Sequence, residues 1–136
     1  MSGTAYIDSS ALLKLVVREA ETAKLEAYLL ECDGLLASRL AELECRRAAR
    51  RAATRARLLQ RVDEVLEAVY LLDITRPILD DAAAMSPPSL RSLDAVHLAT
   101  ALSVGDEGLA LITYDERLAI AARSQGLRVV QPGRAE

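Results

Sequence analysis

Four acidic residues stand where carboxylates can act together: Asp8, Glu44, Asp94 and Asp115. Tyr6-Ile7-Asp8 closes one short apolar run, and the run from Leu111 to Tyr114 leads directly into Asp115. Glu44 and Asp94 lie near the starts of Ala- and Leu-rich stretches with helical spacing. Scattered surface acids show no such order. If the four ends converge, their carboxylates repel one another unless a cation neutralises them. Hard oxygen donors with incomplete protein coordination suit Mg²⁺, with Mn²⁺ as the alternative. A site of that kind supports metal-assisted attack of water on a phosphate ester.

Other residues compete for chemical roles. The single histidine, His97, follows Asp94 by three residues, a tempting place for a general base. Its spacing with Leu93, Val96 and Val104 instead reads as a packed histidine on an apolar stripe. Seven of the 17 basic residues lie between Arg46 and Arg61. Such a run is either a solvated helix face or, continuing from Glu44, a surface that guides phosphate toward the acids, with Arg47, Arg50 and Arg51 as the candidates. Ser9 or Ser10 can present hydroxyl or backbone donors to a phosphate at a helix start. Cys32 and Cys45 lack metal-ligand spacing, fall in segments predicted to be helical, and read as small buried hydrophobes of a reducing compartment.

Positioning these residues requires strands that alternate with helices. Residues 4–7 predict a short buried strand, followed by a helix with Ser9-Ser10 as cap and Leu12, Leu13, Leu15, Val16 and Val17 along it. A second helix spans 21–31, Asp33-Gly34 breaks it, and 35–37 form the next strand. Ser38 caps the helix that carries Glu44, which bends or breaks near Thr54. A strand over 69–74, a helix opened by Pro77 and ended by Pro87-Pro88, and a helix over 93–104 capped by Ser92 follow. A strand over 109–113, a helix over 116–125 stopped by Gly126 and a strand over 127–130 complete the order. The alternation predicts a three-layer α/β/α domain, residues 1–136 in all, around a mainly parallel sheet of four to five strands. Ligands of such sheets bind at the carboxyl ends of the strands, where Asp8 and Asp115 lie.

A chain of 136 residues with 51% hydrophobic content has ample core for one domain. There is no Phe or Trp, so that core is aliphatic, and only Tyr6, Tyr28, Tyr70 and Tyr114 offer aromatic platforms. A net charge of -3 argues against coating nucleic acid through global positive charge. No basic leader or long apolar run is present, so a cytoplasmic protein without a membrane span is expected. A response-regulator-like domain needs a lysine on a late strand, whereas the only lysines are Lys14 and Lys24. A dinucleotide-binding fold lacks its glycine fingerprint after the first strand.

Four blocks carry a family resemblance: YIDSSALLKL at 6–15, SRLAELECRRA at 38–48, LRSLDAVHLATAL at 90–102, and LITYDERL at 111–118 followed by Gly126-Leu127. Together, in this order and separation, the chain resembles the PIN-domain ribonucleases, and most closely the VapC-type toxins of toxin-antitoxin pairs. The resemblance implies a PIN-like fold and Mg²⁺-dependent endonucleolytic cleavage of RNA. It also implies a homodimer and a hetero-oligomer with a small VapB-like antitoxin. By motif, Asp8, Glu44, Asp94 and Asp115 match the family's four acids as catalytic and metal-binding residues, with Thr113 and Ser9 in support. Glu42 competes with Glu44, and Glu116 with Asp115. Arg47, Arg50 and Arg51 would meet RNA or the antitoxin. The alternative from another class is a PIN scaffold that binds RNA or protein without cutting.

Overall fold

The computed structural model describes residues 2–134, and five strands in it form one sheet: β1 (Ser2–Ile7), β2 (Cys32–Ser38), β3 (Tyr70–Leu72), β4 (Ala110–Ile112) and β5 (Arg128–Val130). Their order is β3-β2-β1-β4-β5 and every neighbouring pair is parallel. Parallel neighbours need long crossovers, and helices supply them. They are α1 (Ser9–Val16), α2 (Thr22–Leu30), α3 (Arg39–Arg50), α4 (Arg55–Leu66), α5 (Arg76–Ala83), α6 (Ser92–Ser103) and α7 (Glu116–Ser124).

The first strand takes the middle of the sheet, so its side chains are buried on both faces. Ala5 and Ile7 point into one aliphatic cluster with Leu12, Val16, Leu25, Ala41, Cys45 and Val62. Tyr6, one residue out of phase, joins the other with Leu98, Leu111, Leu118 and Ala122. Helices α1 to α4 therefore contribute to one face, and α6 and α7 cover the other. The result is the three-layer α/β/α arrangement of a PIN-like domain. Register aligns the carboxyl ends: Tyr6 lies beside Leu36 on one flank and Leu111 on the other. That alignment brings Asp8, Ser38 and Thr113 to the same edge.

Local expectations were overridden at several points. Asp33-Gly34, a turn signal in the sequence, lies inside β2, where Gly34 pairs with Thr4 of the central strand. Pairing with β1 wins over the local turn preference. Cys32 is consequently on a strand rather than a helix, while Cys45 is in α3 as expected. Burial pushes the Cys45 thiol up to about 12, which leaves it un-ionised and inert. The cap of α1 is Asp8, whose carboxylate accepts from the Ala11 N–H, not the serine pair. At α6 the cap position is Arg91, with Ser92 the first helical residue. Helix α5 stops at Ala83, before the prolines.

The break near Thr54 is present, between α3 and α4. Gly126 ends α7 with a positive φ of 84°, and the Leu127 N–H reaches back to the Ala122 carbonyl at 3.0 Å. Only a residue tolerant of that left-handed backbone closes the helix this way.

Leu98 has no exposed surface and packs α6 onto Tyr6 and Leu111. Leu98→Ala is expected to lower the unfolding free energy in a urea titration by about 2–5 kcal/mol. Leu30→Ala, at a side chain 88% exposed, is expected to change it by less than about 0.5 kcal/mol.

Candidate active site

Asp8 is the first residue beyond the central strand, and it is only 3% exposed. A buried carboxylate is tolerated only with dense hydrogen bonding. Its Oδ2 accepts from the Thr113 hydroxyl at 2.6 Å, and its Oδ1 from the Ser10 hydroxyl at 2.7 Å and the Ala11 N–H at 3.1 Å. Burial nevertheless dominates and raises its pKa above the ordinary carboxylate value, against the pull of His97, Thr113 and Ser10. Thr113 is itself held in place, since its Oγ1 accepts from the Asp115 N–H at 3.1 Å. One hydroxyl thus ties the ends of β1 and β4 together.

Glu44 projects from α3 and meets His97 of α6, with Nε2 of the ring 2.7 Å from its Oε1. A carboxylate can only accept, so Nε2 carries the proton and donates. On the other side of the ring, Nδ1 lies within hydrogen-bond distance of the buried Tyr6 hydroxyl, 2.9 Å away. Tyr6 is held un-ionised because burial raises its pKa well above the usual phenol value. His97, 2% exposed, is therefore the packed histidine that its spacing suggests, and it also orients a site carboxylate. Its stripe differs from the expected one. Leu93 is 52% exposed, whereas Ala95, Leu98, Ala99 and Thr100 are buried beside His97.

Asp94 in the first turn of α6 and Asp115 at the cap of α7 form the other corner. Asp115 Oδ1 accepts from the Arg117 and Leu118 N–H groups, a favourable place for an anion at a helix start. Across the gap, Arg91 donates through Nε to Asp94 Oδ2 at 3.3 Å and through Nη2 to Asp115 Oδ2 at 3.0 Å. Asp94 has its pKa raised, first by burial and then by the charge of Asp115, with Arg91 opposing both.

All four predicted acids, with Ser9, Ser10, Arg91 and His97, line one cleft of about 270 Å³. A larger groove of about 790 Å³ lies between α2, α7 and β5 and contains none of the four. Chemistry rather than size selects the cleft. Glu42 turns away to Arg39 and Arg46, which favours Glu44 for the second position. Glu116 faces the larger groove, which favours Asp115 for the fourth. Thr113 is buried directly beneath Asp8. Ser9 is on the cleft wall, whereas the Ser10 hydroxyl is committed to Asp8 and to the Tyr114 N–H at 2.9 Å. Arg47, Arg50 and Arg51 are exposed and make no ion pair among the described residues, while Arg46 and Arg61 are paired to acids. The position of Arg91 and the Tyr6–His97–Glu44 chain were not read from the sequence.

In this arrangement no three His, Cys, Asp or Glu side chains among the described residues close on one point as a metal cage would require. Each carboxylate is turned onto a protein partner instead. The donor set still fits a hard divalent cation, because it is entirely carboxylate and hydroxyl oxygen.

A three-layer parallel α/β fold with acids gathered at its carboxyl edge agrees with the sequence comparison: the family description PIN domain matches residues 5–124, and the chain belongs to that family. It is 40% identical over 127 residues to Ribonuclease VapC46 of Mycobacterium tuberculosis, covering 93% of this chain and 96% of that protein. It is 41% identical over 134 residues to Ribonuclease VapC35 of the same species, covering 96% and 98%. Among solved structures, a toxin-antitoxin complex from Klebsiella pneumoniae has a chain that superposes with a TM-score of 0.72 at 24% identity. That match covers 94% of this chain and 97% of the other.

The raised pKa values have a pH consequence. A carboxyl whose folded pKa exceeds its unfolded value binds protons more readily when folded, so stability is lost as pH rises from the unfolded value of about 3.9 through the folded one. In EDTA, the contributions of Asp8 and Asp94 are expected to favour the folded chain at mildly acidic pH over neutral pH. Asp8→Asn should flatten that dependence in thermal melts recorded across pH. An unchanged pH profile in Asp8→Asn would show that burial does not perturb this group.

Proposed function

We propose that this chain is a metal-dependent endoribonuclease, the VapC-type toxin of a toxin-antitoxin pair, which hydrolyses RNA phosphodiester bonds by attack of water. The observation that carries this reading is the meeting of Asp8, Glu44, Asp94 and Asp115 in one cleft, in a chain 40% identical to a protein named as a ribonuclease. Mg²⁺ is the expected cofactor, with Mn²⁺ able to replace it. Bound, the cation would lower the pKa of a water and neutralise charge that develops on the phosphate.

The protein's own groups divide the remaining work. Asp8 and Asp94 would be the direct holders of the cation, since they are the least exposed of the four carboxylates. Glu44 has Oε1 fixed by His97 and Oε2 without a hydrogen bond among the described residues, so Oε2 is available to orient the attacking water. Asp115 would hold the cation from the far side of the cleft. Ser9, in the first turn of α1, donates to a phosphate oxygen of the substrate. Arg47, Arg50 and Arg51 extend the path for RNA phosphates, or receive an acidic segment of the antitoxin. In-line displacement of the 3′ oxygen leaves a 5′ phosphate and a 3′ hydroxyl. The partners are a VapB-like antitoxin and a second copy of the chain, in the cytoplasm.

A second reading, a PIN scaffold that binds RNA or protein without cutting, draws on one observation: every site carboxylate already has a protein partner. Incubating total RNA with the purified, partner-free chain in Mg²⁺, Mn²⁺ or EDTA, beside Asp94→Asn, separates the two. Cuts bearing 5′ phosphates are expected in either metal and none in EDTA. Loss of one ligand is expected to lower the rate by roughly 100-fold or more, given that even outer partners of metal ligands account for 10–100-fold. A folded chain that cuts nothing in any metal would favour the scaffold, and cleavage that survives EDTA would remove the metal from the mechanism.

A further inference from the structure

Arg91 sits on the lip of the cleft with its side chain 59% exposed, while the carboxylates it joins are much less exposed, Asp94 at 13% and Asp115 at 25%. The residue occupies the cap position of α6 and caps no N–H of that helix with its side chain. Its guanidinium instead spans two acids from different elements, α6 and the start of α7, through two separate nitrogens. A planar fork suits this bridging better than a point charge does. The two oxygens engaged, Asp94 Oδ2 and Asp115 Oδ2, belong to the set available to a divalent cation. One oxygen pair cannot serve a guanidinium and the inner coordination of a metal at full strength together, because the two positive charges would repel at contact distance.

We propose that Arg91 is a built-in counter-ion that closes the metal-free cleft and must swing outward when a divalent cation engages Asp94 and Asp115. Metal affinity is then set by competition with the protein's own arginine. The inference rests on the metal-dependent reading above. Its physical basis is that two like charges, one on the half-buried Asp94, need compensation in the absence of metal, and Arg91 is the basic side chain ion-paired to both among the described residues. Because the guanidinium is mostly solvated, the pairs it makes are of the weak, exposed kind. The competition is accordingly modest, and Arg91 can leave without disturbing the core.

The test is calorimetric titration of Mn²⁺ into the full chain after EDTA treatment and dialysis, for wild type, Arg91→Gln, Arg91→Lys and Asp94→Asn. Thermal melts of each, in EDTA and in saturating Mn²⁺, accompany it. Arg91→Gln is expected to bind Mn²⁺ about fivefold tighter, the scale set by two exposed ion pairs. Arg91→Lys, which keeps the charge without the fork, should fall between it and wild type. In melts, Arg91→Gln should be less stable in EDTA and show a wider gap between EDTA and Mn²⁺. Asp94→Asn should lose most of the Mn²⁺ heat.

Equal or weaker Mn²⁺ binding by Arg91→Gln, with binding in wild type and its loss in Asp94→Asn, would overturn the counter-ion role while the metal site stood. If Arg91→Gln does not fold without metal, Arg91→Lys decides by the same comparison, and affinity equal to or below wild type overturns the proposal. A folded wild type and a folded Arg91→Gln that both fail to bind Mn²⁺ would overturn the metal-dependent reading, and this role with it.

Discussion

A carboxylate sunk behind the central strand sets the terms for everything around it. Asp8 cannot be left unpaired at that depth, because an isolated buried charge is far costlier than the net stability of a small domain. Its three partners come from two places: the Thr113 hydroxyl beyond β4, and the Ser10 hydroxyl and Ala11 N–H in α1. Satisfying one side chain therefore fixes the start of a helix and the alignment of two strands. A slip of β1 by one residue would turn Ile7 and Tyr6 toward the wrong clusters and carry Asp8 away from its donors.

Around this anchor the other acids are stabilised by different means. Glu44 is held by His97, which is itself held by a tyrosine, a chain running from the sheet interior to the cleft wall. Asp94 and Asp115 face a charged arginine from the solvent side. Hydroxyls serve the deepest carboxylate and a full positive charge serves the outer pair. The rigid part of the cleft is thus its floor, and the part free to rearrange is its rim.

Much of this is legible in the amino-acid sequence itself. Asp8 and Asp115 announce themselves because an acid directly after a buried apolar run marks the carboxyl end of a strand, and parallel sheets collect those ends on one edge. The alternation of strands and helices was readable for the same reason, since strand and helix periods differ. The strand position of Cys32 and Asp33-Gly34 was not, because pairing with β1 outweighs a local turn signal. Arg91 was equally hidden. An arginine three residues before an aspartate looks like any helix-start pair, and its contact with Asp115, 24 residues away, depends on how α6 and α7 pack. Serine is the usual cap, which makes Ser9-Ser10 the local expectation, yet Asp8 holds that post and the Ser10 hydroxyl serves the aspartate.

The order of the sheet has a consequence for how the protein is made. The strand that carries Asp8 is synthesised before β4, and the hydroxyl that completes its environment arrives 105 residues later, on Thr113. Contacts this distant in sequence form late, after long stretches of chain have been ordered. On the ribosome, Asp8 and Glu44 are made before Asp94 and Asp115, and the cleft that gathers all four needs the later pair. The cleft comes into being only once Asp115 has been added, so the growing chain carries an unassembled site until then.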